Sequence, residues 1–107
     1  MLLPATVMKQ PKINAAISTV LPEFKPWIRH IRYEIGQDWA GDWAVFFRVM
    51  LADETMEDPK RFEMIELMNW RIIEELDLPN LGLYPYFDVR TESEQATLQD
   101  PSWAALV

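Results

Sequence analysis

Alternation dominates the middle of this chain. From Ile28 to Ile35 the side chains switch sides at every residue, so Ile31, Tyr33 and Ile35 share one face while Arg32 and Glu34 share the other. Trp43 to Leu51 repeats the pattern, with Val45, Phe47, Val49 and Leu51 set against Ala44, Phe46, Arg48 and Met50. The two runs are joined by Asp38-Trp39-Ala40-Gly41-Asp42, a polar stretch with a glycine inside it, and together they predict a β-hairpin. A third run, Leu83 to Arg90, places Leu83, Pro85, Phe87 and Val89 opposite Tyr84, Tyr86, Asp88 and Arg90. Pro85 has no N–H to give to a ladder, so this strand belongs at a sheet edge or at a bulge.

On either side of the hairpin the period changes to that of a helix. Ile13, Ala16, Ile17, Val20 and Leu21 predict a short amphipathic helix from Lys12 to about Leu21, closed by Pro22 and Pro26. Residues 1–10 carry no clear period, end before Pro11 and read as an N-terminal arm. After the hairpin, Pro59 suits a first helical position with Asp58 or Thr55 supplying a capping oxygen. The helix it opens extends to about Leu76, with a stripe of Phe62, Ile65, Asn69, Ile72 and Leu76 broadened by Met64, Met68 and Ile73. Trp70 lies off the stripe and needs cover from another element. Leu78-Pro79-Asn80-Leu81-Gly82 forms a turn, Thr91-Glu92-Ser93-Glu94 has capping-box spacing, and Asp100-Pro101 starts a last helical turn before Trp103.

The order α-β-β-α-β, with short C-terminal helical turns, predicts an α+β fold of two layers: a three-stranded, mainly antiparallel sheet with helices on one face. It is wholly antiparallel if the third strand pairs beside the first. With 107 residues and no linker, residues 1–107 form a single domain. Whether the segment around Trp103 folds back over the other sheet face stays open at this point.

Composition narrows the function classes. The 17 acidic residues outnumber 10 basic ones for a net charge of −7, which repels a phosphate backbone and disfavours nucleic-acid binding. There is no cysteine, so disulfides, thiolate catalysis and thiolate metal sites are excluded, and a reducing cytoplasm is compatible. No apolar run approaches the roughly 20 residues of a membrane span, and the apolar Met1-Leu2-Leu3-Pro4-Ala5 lacks the features of a leader. The expectation is a soluble, cytoplasmic protein without membrane association.

Few residues qualify as chemistry. Asp38 and Asp42 have the donors of a cation site, but Trp39, Ala40 and Trp43 fill the positions between them, so turn formation is preferred and no metal is expected. The lone histidine, His30, has no nucleophile motif to serve, and sequence-adjacent Arg29 opposes its charging if the two are also close in space. Glu34 and Asp88 are the one carboxylate pair that the strands bring together, with Arg32, Arg48 and Arg90 around them holding both ionised. The three glycines, Gly36, Gly41 and Gly82, fit no phosphate loop, so no cofactor is expected. What stands out is the sheet face turned away from the helices: Phe46, Arg48, Met50, Tyr84, Tyr86 and Arg90 have the aromatic, Met and Arg composition of interface cores. The leading expectation is a non-enzymatic module that self-associates, as a dimer, or docks a protein partner through these six residues. The alternative is a small-ligand binder or enzyme using Arg48, Glu34, Asp88 and the Trp39/Trp43 loop.

Two segments carry a likeness to known proteins: Ile35-Gly36-Gln37-Asp38-Trp39-Ala40-Gly41-Asp42 followed by Phe46-Phe47-Arg48-Val49, and Tyr86-Phe87-Asp88-Val89-Arg90-Thr91-Glu92-Ser93-Glu94-Gln95. They resemble small uncharacterised bacterial proteins carried on mobile or accessory DNA, sometimes beside toxin–antitoxin-like genes. The resemblance implies an accessory-genome protein that binds or neutralises a partner, and it brings no catalytic residues.

Overall fold

A computed structural model describes residues 3–77 and 81–104; of the turn expected over Leu78-Pro79-Asn80-Leu81-Gly82, residues 78–80 lie outside them. Helix α1 (Leu3–Val20) leads through a 3-10 turn (Leu21–Phe24) into strands β1 (Ile28–Gln37) and β2 (Trp43–Leu51). A second 3-10 turn (Asp53–Glu57) precedes helix α2 (Arg61–Leu76), then strand β3 (Tyr84–Thr91) and the short helices α3 (Glu92–Leu98) and α4 (Pro101–Ala104). The fold is α+β, with a three-stranded sheet in the order β1-β2-β3.

β1 and β2 pair antiparallel, as their hairpin requires, whereas β2 and β3 pair parallel. The third strand therefore sits beside the second and not beside the first, and the sheet is mixed. Its geometry follows from α2: a parallel neighbour needs a long crossover, and a helix laid on the sheet supplies one. Pro85 lies on an edge strand, where its missing N–H costs no central ladder bond.

The core lies between the sheet and the two long helices. Val45, Phe47, Val49 and Leu51 of β2 are buried against Ile13, Ala16 and Val20 of α1 and Met68, Ile72 and Leu76 of α2. Phe47 and Phe87 stack with ring centroids 5.0 Å apart, which fixes the central strand to the edge strand on the core side. A register shift between Ile28 and His30 leaves Arg29 without a register partner on β2 and returns Ile28 to the interior, the reversal that one inserted residue produces.

Three local features depart from the sequence pattern. The segment expected as an arm is helical from Leu3, with Pro11 inside α1. A proline removes one N–H and crowds the carbonyl one turn earlier, but Pro11 faces solvent, where water can meet that carbonyl. Helix α2 starts at Arg61 without a side-chain cap; Asp58 Oδ1 instead accepts the Lys60 N–H at 2.8 Å, and Thr55 donates its hydroxyl to the Ala52 carbonyl at 2.7 Å. Phe62, placed on the buried stripe by spacing, is exposed with the Arg61 guanidinium 4.5 Å above its ring, and Trp70 has no full cover. The capping box does form, with Thr91 Oγ1 accepting from the Glu94 N–H and Glu94 Oε1 accepting from the Thr91 N–H. Among the described residues no helix is long and apolar enough to cross a membrane.

Candidate functional site

The face of the sheet away from α1 and α2 is a grid of four rows fixed by register. From the hairpin end downward they are Gly36–Ala44–Tyr84, Glu34–Phe46–Tyr86, Arg32–Arg48–Asp88 and His30–Met50–Arg90. All six candidate contact residues, Phe46, Arg48, Met50, Tyr84, Tyr86 and Arg90, thus lie on one face, but the structure splits them into two environments.

The lower end is covered by the chain itself. Helix α4 brings Trp103 down until it is 3 % exposed, with the Arg90 guanidinium 4.6 Å from its ring centroid and its carbonyl accepting from Arg32 Nη1 at 3.3 Å. Arg32 is on β1 and Arg90 on β3, so these contacts carry Trp103 across β2, and Met50 beneath is only 7 % exposed. Asp100 holds the approach: its carboxylate meets Arg90 Nη1 at 3.2 Å and its carbonyl accepts from Gln95 Nε2 at 2.8 Å. His30 shares this row. Burial first, and the charge of Arg32 second, hold its imidazole below the ordinary range, and Nδ1 is buried without a hydrogen-bond partner. The cation that acts on it is Arg32 rather than the adjacent Arg29.

Among the described residues nothing covers the upper end in this way. Phe46 and Tyr86 stack across the parallel ladder at 5.4 Å and 17°, and Trp39 leans from the hairpin loop onto Tyr86 at 5.3 Å. Trp39 is 85 % exposed and Tyr84, one row up, 58 %. Asp38 fixes the loop. Its Oδ1 accepts the N–H groups of Ala40 and Asp42 at 2.9 and 3.0 Å, and its Oδ2 accepts the Tyr86 hydroxyl at 2.8 Å. Gly41, at φ 84°, completes the turn in a conformation that favours glycine. The Tyr86 hydrogen bond leads the backbone donors in holding the Asp38 carboxyl below its usual range. The same bond, then burial and the charges of Asp38 and Asp42, push the Tyr86 phenol up.

An ionic row separates the two ends. Arg32 and Arg48 face each other directly, a like-charge pair that destabilises a ladder unless countered. Glu34 answers Arg48 at 3.2 Å, and the Trp103 carbonyl answers Arg32. Arg48 Nη1 has no partner and is buried. Asp88 lies 3.9 Å from Arg90.

The alternative ligand residues are dispersed. Trp43 belongs to the core side of β2, packed against the hydrophobic cluster, while Trp39 sits on the opposite face, so the two tryptophans form no shared platform. Glu34 and Asp88 are both more than half exposed and each is matched by an arginine, without the enclosed cleft that acid–base catalysis needs. Among the described residues no group of three or more His, Cys, Asp or Glu is arranged to hold a metal. The hollow beside Arg48, bounded by Phe46, Tyr86 and Asp88, measures about 130 Å³, below the usual size of a small-molecule site. Sequence reasoning weighed Asp38 as a turn former or a cation ligand and missed its bond to Tyr86; a loop carboxylate that feeds a tyrosine of another strand has no local signature. No protein-family model, curated protein or solved structure matches this chain.

Proposed function

We propose that this chain is a small non-enzymatic binding module that docks a protein partner through the upper end of its open sheet face, formed by Trp39, Phe46, Tyr84 and Tyr86. The observation that carries the reading is Trp39, 85 % exposed yet seated on a stack whose orientation Asp38 fixes through Tyr86. A contiguous apolar patch held rigid at the surface contributes little to folding, and it lowers the ordering cost of association. Aromatic side chains of this kind dominate contact energies.

An unlike partner fits better than a second copy. A twofold contact would set this patch, with Glu34, Asp38, Asp42 and Asp88 around it, against an identical acidic-rimmed patch, on molecules that each carry −7. Met50 and Arg90, claimed by Trp103, fall outside the contact, and Arg48 stands at its margin. A cytoplasmic setting, and the kinship with proteins of mobile or accessory DNA, belong to the same proposal and add no residue to it.

The test begins with Trp39→Ala and urea unfolding. Stability is expected to stay within about 0.5 kcal/mol of the parent, whereas a loss of about 3 kcal/mol, the size of a core truncation, would make Trp39 a structural cover and sink the reading. Sedimentation at micromolar concentration then separates the occupants. A monomer agrees with an unlike partner, and a dimer that Trp39→Ala disperses would make the occupant a second copy.

A further inference from the structure

The two ends of the open face use one kind of chemistry, and only one of them is complete. At the lower end an indole, a guanidinium and a carboxylate form a closed set: Trp103 lies 4.6 Å from the Arg90 guanidinium, which Asp100 meets at 3.2 Å. At the upper end Trp39 stands over Tyr86 with the carboxylate of Asp38 bonded to that phenol, and exposed Asp42 in the same loop. Glu34 lies beside Phe46 in register, and Asp88, 61 % exposed at its side chain, is two residues beyond Tyr86. The indole and the carboxylates are present there, but among the described residues no cation lies over the rings. Among the described residues the guanidiniums stacked on rings are Arg61 on Phe62 and Arg90 on Trp103, and none lies over Trp39, Phe46 or Tyr86. Arg48, one row down in the grid, turns Nη2 to Glu34 at 3.2 Å, keeps Nη1 buried, and stacks on none of these rings.

We propose that the partner supplies the missing group: a segment bearing arginine or lysine, whose cationic side chain lies flat on Trp39 and Tyr86 between the carboxylates of Asp38, Asp42 and Asp88. This rests on the docking reading above and adds the chemistry of the occupant. The electron-rich faces of indole and phenol attract a cation, and more strongly as contact excludes water. Arginine suits the site better than lysine, because its planar guanidinium stacks on a ring while its N–H fork reaches carboxylates at the edge. The net charge of −7 draws such a segment from a distance.

The experiment uses the full chain, labelled with ¹⁵N, and two synthetic probes: a hexa-arginine amide and its hexa-citrulline counterpart, which keeps the planar urea and loses the charge. The Trp39 indole N–H signal is identified by its loss in Trp39→Phe. Expected is a saturable shift of that signal and of the Tyr86 backbone with the arginine peptide, and about tenfold weaker binding by the citrulline peptide. Trp39→Ala and Asp42→Asn should each weaken the arginine peptide several-fold.

If both peptides move the Trp39 signal with equal affinity, the docking surface stands and the cation inference falls. If the arginine peptide moves Glu63, Glu66 and Glu74 of α2 as much as Trp39, and Trp39→Ala leaves its affinity unchanged, the attraction is one of overall charge and the inference falls as well. Failure of the docking reading itself is read elsewhere, in the urea unfolding of Trp39→Ala.

Discussion

Two tryptophans on the same sheet face have opposite fates. Trp103 is pressed onto Arg90 and almost wholly buried, while Trp39 rests on Tyr86 and meets water over most of its surface. Both are held by carboxylates: Asp100 anchors the approach of Trp103 to Arg90, and Asp38 ties the Trp39 loop to β3. What differs is the third layer. The lower rows receive a short helix from the chain's own continuation, and the upper rows receive nothing among the described residues. A sheet with helices on one side has a whole face to account for, and the described residues close half of it.

The largest effect that would break this contrast is on stability. Trp103→Ala is expected to cost about 3 kcal/mol in urea unfolding, by exposing Met50 and leaving a void over β2, against almost nothing for Trp39→Ala. Equal costs would mean that both tryptophans do the same work. Next in size, a double-mutant cycle between Arg90→Met and Trp103→Leu should return a coupling of about 1 kcal/mol, the stacking of a guanidinium on an indole away from water. A coupling near zero would reduce Trp103 to a hydrophobic lid indifferent to charge.

Acid titration sharpens the contrast further, because each end has its own titrating group. His30 is held below its ordinary value of 6.5 by burial and Arg32, with Glu92 opposing. Its contribution is therefore complete above pH 6.5 and is lost as pH falls toward the folded value, since the unfolded chain takes up a proton that the folded chain resists. Asp38 is held below 3.8, so its share is complete above that pH and is lost only in stronger acid, as the folded carboxyl protonates. Stability measured from pH 7 to about 2 should decline in two stages. His30→Gln should flatten the first and leave the second, while Asp38→Asn should shrink the second, which Asp53 and Glu23 share, and leave the first.

The smallest effect is in the dividing row. Glu34→Gln should lower stability by about 0.5 kcal/mol, because it leaves Arg48 opposite Arg32 without its countercharge. A change of 2 kcal/mol or more would show that this row, and not Trp103, holds the lower end together.

Much of the fold was legible because β2 states both of its faces in its own sequence: Val45, Phe47, Val49 and Leu51 alternate with Ala44, Phe46, Arg48 and Met50, and the strand occupies Trp43–Leu51 as expected. Alternation assigns faces but not neighbours. Nothing in Tyr84-Pro85-Tyr86-Phe87 says that β3 lies parallel to β2, since that depends on how far α2 carries the chain before it returns. Pro11 hid the first half of α1, because the cost of an internal proline depends on its exposure, which spacing does not report. The candidate surface was legible as a composition and illegible as two ends. Trp39 and Trp43 share the same Asp-Trp-Ala context, yet one belongs to a loop and the other to a strand's core side. Whether Trp103 returned to the sheet hung on a helix of four residues, too short to bury a tryptophan unaided.

The bond from Asp38 to Tyr86 joins positions 48 apart in the chain. The surface it braces is consequently a conformational epitope: an excised hairpin would carry Trp39 and Phe46 without the two phenols, and a fragment starting after α2 would carry the phenols of Tyr84 and Tyr86 without the indole. A binder selected against these four rings would recognise only molecules in which β3 has already docked beside β2, and so would pass over chains cut before it.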